Sequence, residues 1–554
     1  MTPRDRFPYT AVFLVLLIVA VALRAQVIVA IPNFFGPGDP GIYFQMARGT
    51  LHHGWPRMEF IYHYLTHPAT IVHAEDYYEA AFGYLLAPAL LFGGEKPAAA
   101  AVVSLVFGVG AVLLVWWLAR RHGPAVALIA AALVAFEPWS IYYSGLIMKE
   151  TVVSVAVLVF LELLRRAAAA DRPPFRPGLL LGVATVAAGV FQYELIPIVG
   201  LTGILVLAIH RRAALPGYLL GAGACLATLF ASTWLSAGVP ISAKYAFALG
   251  ASLVDPDRLA PARDIPQTLR SILPFRYLGA AILTAWYPLL ILLAALGAAV
   301  VPRIERTIWV VFAAVFLYLH AIPSDLWCRD FIPLTAVLAG PVALGLCRSD
   351  AWRSRRWLAA LVWAAAFFLC VVPGMIRWTW HHAAGFNRWV PFSPLWLGVI
   401  LALLMFVLVL CGPTQSIRAW TPKTAPIVAA LAVSANFWLL LPYPAIYRNA
   451  QFPDYEIARA HRERVGHWLR DSVPRGAMIA ERPEEISLYS GFPVVALPEF
   501  VRPGSLERLV ARYGVRYLLV DPGVLPDSVM RVLPARVIGQ REETRLLEFR
   551  IGEE

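Results

Sequence analysis

The chain has 554 residues, of which 59% are hydrophobic and 15% charged, and its mean hydropathy is +0.66. A soluble globular protein of this size does not need so much apolar surface. Apolar runs of about twenty residues, the length that crosses a hydrocarbon core, recur along the whole sequence. The composition therefore excludes a soluble protein and predicts a polytopic protein whose first partner is the lipid bilayer.

The net charge of +12 does not indicate a nucleic-acid partner, because of where the basic residues lie. They cluster in short loops between apolar runs, as the positive-inside rule requires of cytoplasmic loops. The five cysteines show no spacing typical of a zinc site or a disulfide framework. The basic loops are Arg120-Arg121, Arg165-Arg166, Arg211-Arg212, Arg303 with Arg306, Arg353 with Arg355-Arg356, and Arg418 with Lys423.

The first span is predicted at about 8–31, with a cytoplasmic N-terminus. Arg24 lies in its outer half, where we expect it to snorkel outward or to pair with a carboxylate, since an isolated charge inside the bilayer is costly. An external loop follows at about 32–95. Its apolar segment, 80–93, is too short to cross comfortably and predicts an interfacial or re-entrant helix. Treating it as a span would place every later basic loop outside.

Twelve further spans are predicted, so the C-terminus lies outside the cytoplasm. The long run at 178–209 is split by Gln192-Tyr193-Glu194 and Pro197 into two spans that meet on the external side. External segments are expected at 138–145, 237–276, 323–330 and 377–388. The spans are at about 97–119, 124–138, 149–164, two within 178–209, 215–236, 277–301, 307–322, 331–347, 357–375, 395–411 and 425–441.

The composition changes at about residue 445, where charge rises. Short strands are predicted at 478–480, 494–497 and 517–520, with a helix at 506–513 between the last two. This pattern indicates a small α/β domain on the external face. The predicted organisation is an all-α membrane module at 1–444 and a soluble extracytoplasmic domain at 445–554.

The stretch FGPGDPGIY opens the first external loop with a single carboxylate, Asp39, between glycines and prolines. Two interpretations are open. Asp39 caps a helix that starts near Pro40, a common role for Asp before Pro. Alternatively, it is held on rigid backbone against an apolar wall, which suits a general base.

Four motifs, in this order and on the predicted external side, resemble the superfamily C (GT-C) glycosyltransferases. The likeness is to the branch that holds the lipid A aminoarabinose transferase and the protein O-mannosyltransferases, and the C-terminal segment LERLVARYGVRYLLVD is similar to their external domain. In the fourth motif Asp330 stands where the family usually has Tyr. The motifs are GDPGIYFQMARGTLHHG, DYYEAAFGYLLAPALLFGG, EPWSIYYSGLIMKE and CRDFIPLTAVLAG.

The resemblance implies an enzyme that moves a sugar from a polyprenyl-phosphate donor to an extracytoplasmic acceptor, in a bacterial inner membrane. Asp39 would be the catalytic base. The family often has a second adjacent acidic residue there, which this chain lacks; Glu150, Glu75 and Asp76 are candidates, and for the last two we favour ordinary loop carboxylates or caps. The remaining implied site residues are Arg329, Lys149 and Arg276 for the donor phosphate, and Tyr43, Tyr142, Tyr143 and Glu194 for the substrate.

Each of these residues also has an ordinary explanation: interfacial snorkelling for the cations and an aromatic belt for the tyrosines. His63 and His67 are spaced to share a helix face and bind a metal, but no third ligand has diagnostic spacing, so we expect no metal or other cofactor. Two other functions stay open. One is a surface-polysaccharide ligase or polymerase, and the other is a transporter or flippase of a lipid-linked substrate.

Overall fold

The computed structural model describes residues 3–30, 39–61, 70–74, 79–170, 174–193, 195–237, 294, 297–320, 332–347, 452–497, 503–525 and 527–550. The helices are α1 (Pro3–Ala30), α2 (Asp39–His53), α3 (Ala80–Gly93), α4 (Pro97–Ala119), α5 (Pro124–Ala135), α6 (Pro138–Ser144), α7 (Glu150–Ala169), α8 (Phe175–Gly189), α9 (Leu195–His210), α10 (Leu215–Ala237), α11 (Arg303–His320), α12 (Ile332–Cys347), α13 (Phe452–Ser472), α14 (Pro483–Ser490), α15 (Pro503–Tyr513) and α16 (Asp527–Val532). The strands are β1 (Arg57–Met58), β2 (Phe60–Ile61), β3 (His73–Ala74), β4 (Ala477–Ala480), β5 (Val494–Ala496), β6 (Val515–Val520), β7 (Ala535–Arg541) and β8 (Thr544–Phe549).

The chain forms two compact units. The first comprises Met1–Phe34, Ala101–Leu226 and Ser271–Ala450, and the second Phe35–Ala100, Ala227–Arg270 and Gln451–Glu554. Within the described residues, three helical segments are long and apolar enough to cross a membrane: Tyr9–Val29, Pro97–His122 and Arg212–Ser232. The protein is thus mostly helical and suited to a membrane.

The helices of the first unit follow the predicted spans closely. α1, α4, α7 and α10 occupy the predicted first, second, fourth and seventh spans, and the 178–209 run divides into α8 and α9 around residues 190–194, as expected. Residues 138–145, predicted as a turn, form a helix instead, because Pro138 opens it and the Glu137 side chain accepts a hydrogen bond from the Ser140 amide. The predicted spans 11–13 lie outside the described residues.

Four basic loops meet at one end of this helical unit. Arg121, which follows α4, lies 2.8 Å from Glu162 of α7 and 3.1 Å from Glu305 of α11. Arg165 and Arg166 each also lie 2.8 Å from Glu162. The loops that the sequence places on the cytoplasmic side are therefore gathered in space around two buried carboxylates.

The loop after α9 joins the same end. His210 lies 2.9 Å from the Thr307 hydroxyl of α11, and Arg211 donates to the Ala167 carbonyl of α7 over 3.4 Å. These contacts tie the loops after α7 and α9 to the start of α11. The basic loops that separate the long helices in the sequence thus lie together at one end of the helical unit.

One of the two expectations for Arg24, that it snorkels outward, is wrong. Arg24 is fully buried and donates to the carbonyls of Val134 and Ala135, at 3.1 and 3.0 Å. Those carbonyls belong to the last turn of α5, whose helix has no N–H groups left to bind them. The hydroxyls of Ser140 and Ser144 accept two more hydrogen bonds, at 3.1 and 3.2 Å. Glu137 also interacts electrostatically with the guanidinium, as the carboxylate alternative expected.

The second unit is built on a six-stranded sheet with the order β2-β5-β4-β6-β8-β7. The first four strands are parallel, and β8 and β7 are antiparallel to their neighbours. The strands predicted near 478–480, 494–497 and 517–520 are confirmed as β4, β5 and β6, and the predicted 506–513 helix is confirmed within α15. The edge strand β2 comes from the first loop, so residues far apart in the chain share this sheet.

Candidate functional site

Helix α2 carries Asp39 in its first turn, and Asp39 itself opens the helix. Its start follows from the local sequence, because a carboxylate in the first turn favours the helix dipole and Pro40 tolerates the missing N–H there. Asp39 is half-buried. This position suits the capping role and leaves the carboxylate partly accessible, as the base role needs.

One face of α2 packs tightly on α3. Tyr43 is 1% exposed, and its ring meets Phe82 edge-on with the centroids 4.9 Å apart. A Cβ added at Gly83 would lie 2.9 Å from the Met46 Cβ, so the two helices approach closely only because Gly83 has no side chain. Tyr43, expected to contact the substrate, therefore lies in a helix–helix interface of the second unit.

The C-terminal end of α2 is fixed by ion pairs to the segment after α3. Arg48 and His52 approach Glu95 within 2.7 and 2.8 Å. Partial burial works against ionisation, but the hydrogen bonds from Arg48 and His52 outweigh it and hold the pKa of Glu95 below its usual value. These ion pairs anchor the C-terminal end of α2, and Asp39 lies at the opposite end of the helix.

Helix α14 of the C-terminal region packs against that end. Glu484, in its first turn, is 3% exposed, and a Cβ built on Gly41 would lie 3.0 Å from its Cγ. Ser487, one turn later, reaches the Glu59 carbonyl at 3.5 Å. The turn that carries Asp39 is therefore supported by residues more than four hundred positions away in the sequence.

A second candidate region lies in the first unit, where Lys149 and Glu150 begin α7. Both are buried, with 5% and 4% exposure. Ser104 of α4 holds the backbone before them, because its hydroxyl donates to the Met148 carbonyl over 2.8 Å and accepts from the Met148 amide over 3.2 Å. The Thr151 hydroxyl donates back to the Ser104 carbonyl over 3.0 Å. These hydrogen bonds hold the backbone that carries Lys149 and Glu150.

A small cavity lies nearby in the same unit. Its volume is about 10 Å³, which is room for about one water molecule, and its polar lining comes from Glu137, Ser140, Thr151, Ser154 and Thr335.

Tyr142 and Tyr143 of α6 are half-buried, and their rings meet edge-on at 5.1 Å. The structure brings them onto the short helix that precedes the Lys149–Glu150 turn. Arg276, Arg329, Glu194, His63 and His67, as well as Glu75 and Asp76, lie outside the described residues. In the part of the chain that the structure describes, no three His, Cys, Asp or Glu side chains are grouped as metal ligands would be.

Sequence reasoning did not single out Glu484. In the sequence it is one of two glutamates after a proline, a pattern typical of an ordinary helix start. Both glutamates are buried, and nothing local marks Glu484 as the one whose carboxyl oxygens have no hydrogen-bond partner among the described residues. The glycine in GDPG was the available signal, since a glycine inside a helix often marks the close approach of another element.

No protein-family model matches the sequence, and no curated protein matches it either. Solved structures do match over the full length. The apo crystal structure of ArnT from Cupriavidus metallidurans has a TM-score of 0.54 and 12% identity, covering 98% of this chain and 97% of that chain. The crystal structure of ArnT from the same organism bound to undecaprenyl phosphate has a TM-score of 0.53 and 13% identity, covering 100% and 99%.

The archaeal oligosaccharyltransferase AglB from Archaeoglobus fulgidus is a more distant match. Its complex with an inhibitory peptide and a dolichol-phosphate has a TM-score of 0.47 and 14% identity, covering 94% of this chain and 70% of that chain. ArnT is a GT-C glycosyltransferase. The fold expected from the sequence motifs is therefore confirmed: the chain is similar in fold to ArnT over its full length.

Proposed function

We propose that this protein is an integral membrane glycosyltransferase that moves a sugar from a polyprenyl-phosphate donor to an extracytoplasmic acceptor. The observation that carries the proposal is the full-length similarity of fold to ArnT, including a structure bound to undecaprenyl phosphate. The order of the four sequence motifs supports it independently. The acceptor is a glycan, a lipid or a protein on the external side of the bacterial inner membrane.

The reaction is a displacement at the anomeric carbon of the sugar. The acceptor hydroxyl attacks that carbon, the bond to the lipid phosphate breaks, and the hydroxyl proton passes to a base. We assign the base to Asp39, which is half-buried in the first turn of α2. A general base typically contributes about 10²–10⁴-fold to the rate. The displacement needs no metal, and the first-loop histidines His63 and His67 are assigned no role.

The leaving phosphate needs positive charge close by, because negative charge accumulates on its oxygens as the bond breaks. Lys149 is our described candidate, since it is buried on the fixed backbone at the start of α7. Arg329 and Arg276 are the further candidates from the sequence. Glu150, Tyr142 and Tyr143 lie close in sequence to Lys149 and are further candidates there, and Glu194 is a candidate from the sequence. Tyr43 is buried between α2 and α3, so it is assigned no contact with the substrate.

The test uses purified full-length protein in lipid nanodiscs with a panel of polyprenyl-phosphate sugars. Transfer to a crude envelope extract and release of free polyprenyl phosphate are followed together. We expect one donor to be consumed by the wild type. Asp39→Asn should lower kcat by about 10²–10⁴-fold and leave donor binding unchanged. Asp471→Asn is the matched control, because Asp471 is 64% exposed on α13, and it should retain full activity.

Three results would count against the proposal. If Asp39→Asn retains wild-type kcat, Asp39 is not the base and only helps to start α2. If the wild type ignores every monophosphate donor but consumes an oligosaccharide carried on a lipid diphosphate, the protein is a polysaccharide ligase or polymerase instead. Movement of an intact lipid-linked substrate across the bilayer without transfer would identify a flippase.

A further inference from the structure

Two neighbouring glutamates at the start of α14 are buried to the same degree but differ in their partners. Glu485, which is 1% exposed, pairs with the guanidinium of Arg462 on α13. Glu484 is 3% exposed, and neither of its carboxyl oxygens has a hydrogen-bond partner among the described residues. A buried carboxyl group without partners is rare, because its lost hydration is not replaced. Glu484 therefore needs an explanation that Glu485 does not.

The side chain of Glu484 lies against the first turn of α2. A Cβ added at Gly41 would be 3.0 Å from Glu484 Cγ and 3.4 Å from Glu484 Cβ, and the first of these is closer than ordinary van der Waals contact. Gly41 is two residues after Asp39, in the same turn. The absence of a side chain at Gly41 is thus what lets the C-terminal domain reach the turn that carries the proposed base.

We propose that Glu484 is a positioning residue, through which the C-terminal domain fixes the first turn of α2 and so orients the Asp39 carboxylate for transfer. The inference rests on the proposed function, in which Asp39 is the base. It gives the C-terminal domain a part in the reaction although the domain need not touch the substrate. It also explains why the GDPG motif has a glycine after the proline.

The surroundings of Glu484 make this contact depend on pH. Burial raises the pKa of Glu484 to about 7. The residue's own backbone amide and the charges of Arg482 and Arg462 oppose this effect, and the charge of Glu485 adds to it. Below that pH the side chain is neutral and packs on Gly41 without the cost of a buried charge. Above it the carboxylate must be solvated or paired, and we expect the packing to loosen. The charged and titratable groups on the elements around it are Asp39, Glu59, Arg459, Arg462, Glu463, His467, Arg482 and Glu485.

The first experiment is a double-mutant cycle in the nanodisc transfer assay. Gly41→Ala places a methyl group in the space of Glu484, so we expect kcat to fall at least tenfold with little change in KM for the donor. Glu484→Ala removes the closer of the two opposing atoms, the Cγ, and keeps the Cβ. Combined with Gly41→Ala, it should recover part of the lost kcat. If the fold-losses in kcat of the two single variants simply multiply in the double variant, the proposed contact between Gly41 and Glu484 is overturned.

The second experiment separates positioning from folding, in case an alanine variant is unstable. Glu484→Gln keeps the shape of the side chain and removes its ionisation. We expect the wild-type kcat to decline above about pH 7 and the Glu484→Gln variant to keep its kcat there. Glu481→Gln, at an exposed position three residues earlier, is the control and should follow the wild-type profile. Identical profiles for Glu484→Gln and wild type would refute the role.

Hydrogen–deuterium exchange gives a readout that does not need turnover. Peptides covering residues 39–44 should exchange faster in Gly41→Ala and in Glu484→Ala, and faster in the wild type at pH 8 than at pH 6 after correction for intrinsic rates. If the wild type is active and neither substitution changes the exchange rate or kcat, the further inference alone is refuted. A wild type that turns over no donor would instead refute the proposed function, and the positioning role with it.

Discussion

Two buried charged residues of the helical unit, Arg24 and Glu162, differ in their hydrogen-bond partners from Glu484 of the α2–α14 region. In the helical unit, Arg24 makes hydrogen bonds to backbone carbonyls and to two serine hydroxyls, and Glu162 is held by three arginines. In the α2–α14 region, both carboxyl oxygens of Glu484 are buried without a hydrogen-bond partner among the described residues. A buried charged group whose hydrogen bonds are satisfied holds helices in place, and a buried carboxyl group without partners lowers stability. The comparison indicates that the fold loses stability at Glu484, next to the turn that carries the proposed base.

Replacing Arg24 should give the largest loss of stability, because it leaves the last carbonyls of α5 without donors. Hydrogen bonds from a charged group contribute about 1.5–3 kcal/mol each, and removal leaves buried acceptors unsatisfied. We expect Arg24→Met to lower the free energy of unfolding by about 4 kcal/mol, measured by denaturant titration in mild detergent. Arg176→Met, at an exposed position of α8, should change it little. Equal stabilities of the two variants would show that the Arg24 network is not structural.

Replacing Glu484 should raise the free energy of unfolding, whereas replacing Arg24 lowers it. The ordinary pKa is 4.5 and the folded-state pKa is about 7, so the folded state binds its proton more tightly and loses stability as pH rises between these values. Glu484→Gln should match the wild type at pH 4 and be more stable by about 3 kcal/mol above pH 7. Denaturant titrations at pH 4, 6 and 8 measure the difference. A variant less stable than wild type at pH 8 would mean that the carboxylate has a partner.

Replacing Glu162 applies the same change, Glu to Gln, to a buried carboxylate that has arginine partners. Glu162→Gln keeps the shape but leaves Arg121, Arg165 and Arg166 without their shared carboxylate. Because the pairs are partly exposed on the arginine side, we expect a loss of about 2 kcal/mol, less than for a fully buried pair. The loss should shrink as salt is added. An increase in stability, as expected for Glu484→Gln, would remove the contrast between the two regions.

The smallest effect is expected at an exposed ion pair of the C-terminal domain. Hydrogen bonds from Arg464 and His461, both at 2.6 Å, lower the pKa of Glu542 to about 2. A lowered pKa stabilises the folded state above pH 4.5, and the contribution is lost as pH falls towards 2. Glu542→Gln should therefore melt slightly below the wild type at pH 6 and at the same temperature at pH 2. High salt should abolish the difference at pH 6.

The sequence was sufficient for elements whose cause is local. The helix Ala80–Gly93, the break between α8 and α9, and the strands β4, β5 and β6 all follow from apolar periodicity and from Pro, Gly or polar interruptions. The short helix α6 was missed. Its start depends on a hydrogen bond to the Glu137 side chain, and in the sequence Glu137 looks like any other acidic residue before a proline. The motif order also predicted the fold that the comparison with ArnT shows.

Contacts between distant segments could not be predicted in this way. Arg24 was expected to reach solvent or a carboxylate, and it does interact electrostatically with Glu137. Its hydrogen-bond acceptors, however, are the end of α5 and two serines of α6, which no periodicity in α1 specifies. Likewise, nothing near Gly41 in the sequence points to Glu484. Patterns of one segment report its own secondary structure and burial; they carry no information on which distant side chain completes a site.

The insertion of β2 at the edge of the C-terminal sheet has a consequence for how the protein is made. Ser487 and Glu59, in hydrogen-bond contact, are 428 residues apart in the chain. At ribosomal rates of about 5–20 residues per second, the first loop waits roughly 20–90 s for its partner strand to be synthesised. During that time the edge of β2 and the glycine face of α2 are uncovered. A nascent chain that stalls before residue 494 would present an unfinished strand to quality-control proteases.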